Sequence, residues 1–128
     1  MLDHVGFCVS DFAASRAFYE KTLKPLGISA IMEVTAEQTG GEAHCGFGTD
    51  KPEFWIGTGT PLTGTLHVAF TAQDRKTVDE VYARALAAGG RDNGAPGLRP
   101  HYHPDYYAAF MLDPDGHNIE VVCHKPAA

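Results

Sequence analysis

Residues 4–27 and 67–90 repeat one another at an offset of 63. The first stretch reads HVGFCVSDFAASRAFYEKTLKPLG and the second HVAFTAQDRKTVDEVYARALAAGG. His4 falls on His67, Val5 on Val68, Phe7 on Phe70 and Asp11 on Asp74. Further along, Tyr19 falls on Tyr82, Leu23 on Leu86 and Gly27 on Gly90. These identities track a strand pattern, a cap and a helix pattern, so a structural unit has been duplicated and not merely a peptide motif. Two copies are too few for a solenoid, whose units each need neighbours on both sides. What remains is a duplicated half-domain, with units at about 1–62 and 63–126 of a single domain spanning 1–128.

Both copies follow the same local logic. Val5, Phe7 and Val9 alternate with His4, Gly6 and Cys8, and Leu66, Val68 and Phe70 alternate with His67, Ala69 and Thr71. That period of two gives each strand a bulky face and a face carrying a histidine followed by small residues. Asp11 and Asp74 stand where an N-cap belongs, ahead of helices expected over Phe12–Lys24 and Arg75–Ala88. In the second helix Val78, Val81, Tyr82, Ala85 and Leu86 form one apolar stripe. Pro25 with Gly27, and Gly89 with Gly90, end the helices. The bulky strand faces therefore pack on the helices, and the histidine faces look the other way. Later strands are expected at Ser29–Val34, His44–Gly48, Glu53–Gly57, Tyr107–Leu112 and Asn118–Cys123. Asp113-Pro114-Asp115-Gly116 supplies the turn between the last two. Arg91–Tyr106 has no clear period and is expected to hold one weak strand and a loop over the site.

The charge balance removes whole classes of function. Ten Lys and Arg stand against sixteen Asp and Glu, a formal net charge of −6, so the basic footprint of a nucleic-acid binder is missing. No apolar run approaches the roughly 20 residues that cross a bilayer. Three cysteines cannot all pair within one chain and no export signal is visible, so a reducing cytoplasm is the expected compartment. At this length the chain can bury one core but not two independent ones.

In Asn118–Cys123, Ile119 and Val121 point one way and Glu120 the other. By the argument used for the two histidine strands, His4, His67 and Glu120 aim at a common concavity. Two imidazoles and a carboxylate form the facial set that takes Fe(II), Mn(II), Ni(II) or Zn(II) and leaves positions open for substrate oxygens. A His at a strand edge or a solvated Glu would each be unremarkable alone; the repeat relation between the histidines favours the metal. Glu120 is also a candidate base, and Tyr107 a candidate acid or base at the start of its strand. Tyr106 is a candidate for orienting a substrate oxygen; being adjacent on a strand, Tyr106 and Tyr107 face opposite sides, so at most one reaches the metal. Trp55 is a candidate substrate floor or a core aromatic. Arg99, His101 and His103 are either contacts for an anionic substrate or a solvated loop. Surface roles are expected for His44, His117 and His124, and Cys8 is read as a small hydrophobic thiol on the His4 face.

The run DHVGFCVSDFAASRAFYEKTLKPLG, then LHVAF, then FMLDPDGHNIEVV, resembles the vicinal-oxygen-chelate superfamily along essentially the whole chain. Its members include glyoxalase I, bleomycin- and fosfomycin-resistance proteins, methylmalonyl-CoA epimerase and extradiol dioxygenases. The resemblance implies an α+β fold of two βαβββ units forming a half-open, eight-stranded mixed barrel, usually in a homodimer. It also implies a divalent metal on His4, His67 and Glu120, and a small-molecule substrate. Glyoxalase I-like members carry a fourth, carboxylate ligand on the last strand of the first unit. The offset of 63 carries Glu120 onto Gly57, which cannot ligate, so the pattern moves toward the fosfomycin-resistance and dioxygenase members. The leading expectation is a metal-dependent lyase or isomerase acting on a vicinally oxygenated substrate. The alternatives are a drug-sequestering resistance protein and an Fe(II) extradiol dioxygenase.

Overall fold

Each copy of the repeat builds its own four-stranded mixed sheet. The computed structural model describes residues 1–127. The first unit runs β1 (Val5–Cys8), α1 (Phe12–Leu23), a 3₁₀ turn (Lys24–Leu26), β2 (Ser29–Val34), α2 (Ala36–Thr39), β3 (His44–Gly48) and β4 (Pro52–Gly57). The second runs β5 (His67–Thr71), α3 (Arg75–Ala87), β6 (Arg91–Leu98), β7 (Tyr107–Leu112) and β8 (Asn118–Cys123). The strand orders are β1-β4-β3-β2 and β5-β8-β7-β6. In each sheet the first strand pairs in parallel with the last, and the remaining pairs are antiparallel. The sheets do not close on one another, and the architecture is the expected α+β half-open barrel.

The helices begin where the aspartates stand. The Asp11 carboxylate accepts from the Ala14 amide at 3.1 Å and the Asp74 carboxylate from the Thr77 amide at 2.7 Å. Such a cap contributes about 1 kcal/mol. α1 then buries Phe18, Tyr19 and Leu23, and α3 buries Val78, Val81 and Ala85. They meet Phe47, Phe54, Ile56, Met111, Ile119 and Val121 from the sheets in one core. Burying a side chain of this size contributes about 1.5–3 kcal/mol. Leu86, expected in the same stripe, is 37 % exposed. The stripe is narrower than its sequence pattern because the helix turns that residue past the edge of the core.

The turn after β7 ties the units together. Asp113 is buried and accepts from the backbone amides of Asp115 at 3.0 Å and His117 at 2.8 Å, and from the Tyr19 hydroxyl on α1. Burial, then the Asp113 carboxylate, push the Tyr19 phenol well above its usual range. Asp115 takes the Ser10 amide at 3.1 Å and the Ser10 hydroxyl. His117, expected at the surface, is instead fully buried, its ring edge-on to Phe7 at 5.2 Å and its Nδ1 accepting from the Leu66 amide at 3.3 Å. The turn docks against β1, and this encloses the imidazole.

Of two further elements, α2 is unexpected, while β6 and the loop after it are the weak strand and loop expected over Arg91–Tyr106. Thr35 and Gln38 close a reciprocal capping box around the one-turn helix α2, which carries no apolar period. β6 is eight residues long and pairs with β7 through irregularities between Asp92 and Gly94 and between Gly94 and Gly97. These bulges erase its alternation. The loop over the site is therefore only residues 99–106, pinned by the Arg99 amide on the Tyr106 carbonyl at 2.7 Å.

Candidate functional site

The pairing register decides which side chains share the concave face. On the second sheet His67 pairs with Asn118 and Ala69 with Glu120. His67 is thus a diagonal neighbour of Glu120, within reach of a long side chain. Its Nε2 lies 2.8 Å from Glu120 Oε1, an imidazole N–H donating to a carboxylate. Phe110 stands directly opposite Glu120 across the β7–β8 pair. Tyr106, at the end of the loop, donates its hydroxyl to Glu120 Oε2. Both carboxylate oxygens therefore have partners, which is how Glu120 can be only 2 % exposed. Burial first, then the hydrogen bond and charge of Glu120, push the Tyr106 phenol up to about 12.

These residues line a cavity of about 390 Å³ together with Tyr102, which is 61 % exposed at its mouth. His101 packs against Tyr102 with tilted rings, their centroids 4.2 Å apart, and faces solvent. Arg99 folds back onto β6, donating to the carbonyls of Gly97 at 2.8 Å and Ala95 at 2.9 Å, with its guanidinium 5.4 Å from the Phe110 ring centre. It stacks behind the cavity wall and its donors are directed at the backbone. Tyr107, the candidate acid or base, points to the helix side and donates to Asp79 of α3 at 2.6 Å, with the Arg75 guanidinium over its ring. Of the adjacent tyrosines, Tyr106 is the one that reaches the carboxylate.

His4 is in a different place. Its Nδ1 lies 2.8 Å from Asp3, whose other oxygen takes Lys51 at 2.6 Å. It lines a cavity of about 230 Å³ with Glu53 and Phe54 of β4 and Val68, Ala69 and Phe70 of β5. Among the described residues, no group of three or more His, Cys, Asp or Glu is gathered tightly enough within one chain to hold a metal ion. The donor set fits a divalent ion in part: His67 and Glu120 converge, and His4 stands apart from them beside Asp3.

Register also corrects the expected empty fourth place. Val5 pairs with Phe54, whereas Val68 pairs with Ile119, so the second unit is two residues longer between its first and last strands. Gly6 meets Trp55 just as Ala69 meets Glu120. The counterpart of Glu120 is therefore Trp55, and Gly57 is the counterpart of Val122. The indole lies between two glycines: a Cβ added at Gly46 would come within 2.9 Å of its ring, and one at Gly6 within 3.1 Å of its Cβ. Where the second sheet presents a carboxylate, the first presents an aromatic plate.

Tyr102 and Phe110 are cavity residues that sequence reasoning missed. A signal for Phe110 existed, because the Asp113–Gly116 turn fixes the hairpin register and places residue 110 opposite residue 120. Tyr102 lies in an aperiodic loop and gave none.

The chain matches the Glyoxalase/Bleomycin resistance protein/Dioxygenase superfamily over residues 1–121. Among solved structures it is similar to a glyoxalase/bleomycin resistance protein from Albidiferax ferrireducens. That likeness is at 27% identity over 98% of this chain and 99% of that one, with a TM-score of 0.73. A glyoxalase I from Zea mays is 22% identical over 94% of this chain and 45% of that one, with a TM-score of 0.72. The fosfomycin resistance protein FosX from Listeria monocytogenes, complexed with Mn(II) and 1S,2S-dihydroxypropylphosphonic acid, is 21% identical over 95% of this chain and 88% of that one, with a TM-score of 0.69. No curated protein matches the chain. No helix among the described residues is long and apolar enough to cross a membrane. This chain belongs to the Glyoxalase/Bleomycin resistance protein/Dioxygenase superfamily.

Proposed function

We propose that this chain is a cytoplasmic metal-dependent lyase or isomerase for a small vicinally oxygenated substrate, working as a homodimer whose sites are shared between chains. His67 and Glu120 of one chain would hold the ion with His4 of a second copy, the two half-sites meeting when the sheets of two copies face each other. The observation that carries this reading is the convergence of His67, Glu120 and Tyr106 on the concave face of the second sheet. A divalent ion there would polarise adjacent substrate oxygens.

The protein's own groups then have distinct tasks. Tyr106, with its phenol at about 12, keeps its proton at neutral pH and serves as a hydrogen-bond donor. Its hydroxyl on Oε2, with His67 on Oε1, would hold the Glu120 carboxylate in place at the cavity wall. Glu120 is the group placed to accept a proton from a substrate C–H. Tyr102, Phe110 and the Trp55 plate would exclude water and hold an apolar part of the substrate. Nothing corresponds to these roles in Tyr107, and Arg99 would act only from behind the wall, bracing Phe110 and β6.

A sequestering protein is the second reading, favoured by the aromatic walls that Tyr102, Tyr106 and Phe110 give the cavity. Elemental analysis after dialysis against Mn(II), Ni(II) or Zn(II) separates the two. The enzyme reading expects one ion per chain in the native protein and almost none in His67→Ala. A native protein that retains no divalent ion would overturn it.

A further inference from the structure

The other concave face carries a second arrangement of reactive groups that the metal reading does not use. In the first sheet Cys8 of β1 and His44 of β3 both pair with Gly57 of β4, one from each side. The three positions form one row across the sheet, on the face that also carries Trp55. Neighbouring strands lie about 4.8 Å apart, so with a side chain at the middle position the outer two would be kept apart. At Gly57 there is none, and the His44 ring occupies the gap: a Cβ built on Gly57 would lie 2.3 Å from His44 Nδ1. The imidazole has therefore crossed the middle strand toward the thiol. Its far nitrogen, Nε2, lies 3.6 Å from Glu42 Oε2.

The thiol is placed to be used. Cys8 is partly exposed, whereas Cys45 and Cys123 are fully buried. Its Sγ rests on the Thr58 carbonyl at 3.3 Å, a weak hydrogen bond that a turn about χ1 releases. The row lines a cavity of about 190 Å³ with Gly6, Phe7, Trp55 and Ile56. No Lys or Arg lines that cavity. Two glycines bring ionisable groups near the thiol: a Cβ built on Gly59 would lie 3.1 Å from Cys8 Sγ and 3.9 Å from Glu42 Oε1, and Gly57 makes room for His44. Carboxylate, imidazole and thiol in that order is the arrangement in which a base is oriented by its third partner and takes the proton of a sulfur nucleophile.

We propose that Cys8, with His44 as base and Glu42 as its orienting partner, is a covalent capture site for small apolar carbon electrophiles of the α,β-unsaturated carbonyl class. In the step, the Cys8 S–H proton passes to His44 Nδ1 and Sγ forms a bond to the β-carbon. The C=C π pair moves to the carbonyl as an enolate, and His44 returns the proton to the α-carbon. Thiol and enone become a thioether with no other reactant. The Trp55 indole provides the flat apolar wall against which a planar enone lies.

The test uses the intact protein in the presence of a chelator, so that it is independent of the metal reading. Methyl vinyl ketone and iodoacetamide are the probes, with site-resolved mass spectrometry at pH 7. Cys8 is expected to react while Cys45 and Cys123 do not, which also reports that the fold is intact. His44→Gln is expected to slow Cys8 by about 100-fold or more, the lower range for a lost general base. Gly57→Ala, which keeps the imidazole but displaces it, is expected to slow Cys8 as well. Glu42→Gln is expected to have a smaller effect in the same direction. Equal Cys8 rates in the native protein and His44→Gln would overturn the proposal, since exposure alone would then explain the reaction. So would Cys8 labelling that appears only together with Cys45 and Cys123.

Discussion

The last strand of each unit aims one side chain at its concave face from the same place in the register, Trp55 on the first sheet and Glu120 on the second. The surroundings differ as much as the residues do. Glu120 is enclosed by His67, Tyr106 and Phe110, and both its oxygens are hydrogen-bonded. Trp55 lies between glycines, beside a row in which a thiol and an imidazole flank a third glycine. Duplication thus preserved the strand order and the helix cover while the two concave faces acquired different chemistry. The conserved part of the repeat is the part that builds the core; the faces are free to diverge because sheet pairing does not depend on them.

Exchanging the two equivalent residues tests that contrast most strongly. Glu120→Gln is expected to weaken divalent-metal affinity by more than about 100-fold, beyond the 10–100-fold typical of changes outside the ligand shell. Trp55→Phe is expected to change it by less than about threefold. Calorimetric titration of both variants with Mn(II) decides the point, and equal losses would erase the distinction between the faces.

The repeat-related tyrosines sharpen the comparison at the level of stability. Tyr19 is fully buried and donates to buried Asp113, while Tyr82 is more exposed and donates to Asp92 at 2.9 Å on the surface. Tyr19→Phe is expected to cost about 1–3 kcal/mol in urea unfolding, and Tyr82→Phe less than about 0.5 kcal/mol.

The same hydrogen bonds set the alkaline limit. Tyr19 and Tyr106 both have phenols raised above the usual value of 10, Tyr106 to about 12. The folded state therefore holds these protons more tightly than the unfolded chain. The contribution of each is complete below pH 10; that of Tyr106 is lost as the pH rises through about 12, and that of Tyr19 is lost only well above the usual phenol range. The urea midpoint should fall across that window, and the double replacement Tyr19→Phe with Tyr106→Phe should flatten the fall. The smallest expected effect is at Leu86: Leu86→Gln should stay within about 0.5 kcal/mol of the native protein, against a much larger loss for a polar residue at buried Ala85.

The elements that sequence analysis reached are those whose signals are local. Asp11 and Asp74 mark helix starts, Pro25 and Gly90 mark their ends, and the strands expected at Tyr107–Leu112 and Asn118–Cys123, on either side of their turn, have the same observed limits. The Asp113–Gly116 turn follows from its own chemistry. What was missed depends on distant partners. His117 is buried only because Phe7 and the Leu66 amide meet it. The place of Trp55 depended on register, because two added residues in the second unit shift the offset after the helices. The face taken by Tyr106 and Tyr107 is a matter of strand phase, and it follows from the same Asp113–Gly116 turn: counting back by twos from Phe110 puts residue 106 on the Glu120 side.

The central claim is that a metal ion is held by His67 and Glu120 of one chain and His4 of another. Mixed refolding tests it directly. His4→Ala and Glu120→Gln are unfolded together, refolded in equal amounts, and assayed for bound Mn(II) against each variant refolded alone. In a mixed two-fold dimer one of the two sites keeps all three ligands, so random pairing predicts recovery of about one quarter of the native metal content. Each variant alone is expected to hold almost none. No recovery in the mixture, or full metal binding by His4→Ala alone, would contradict the account.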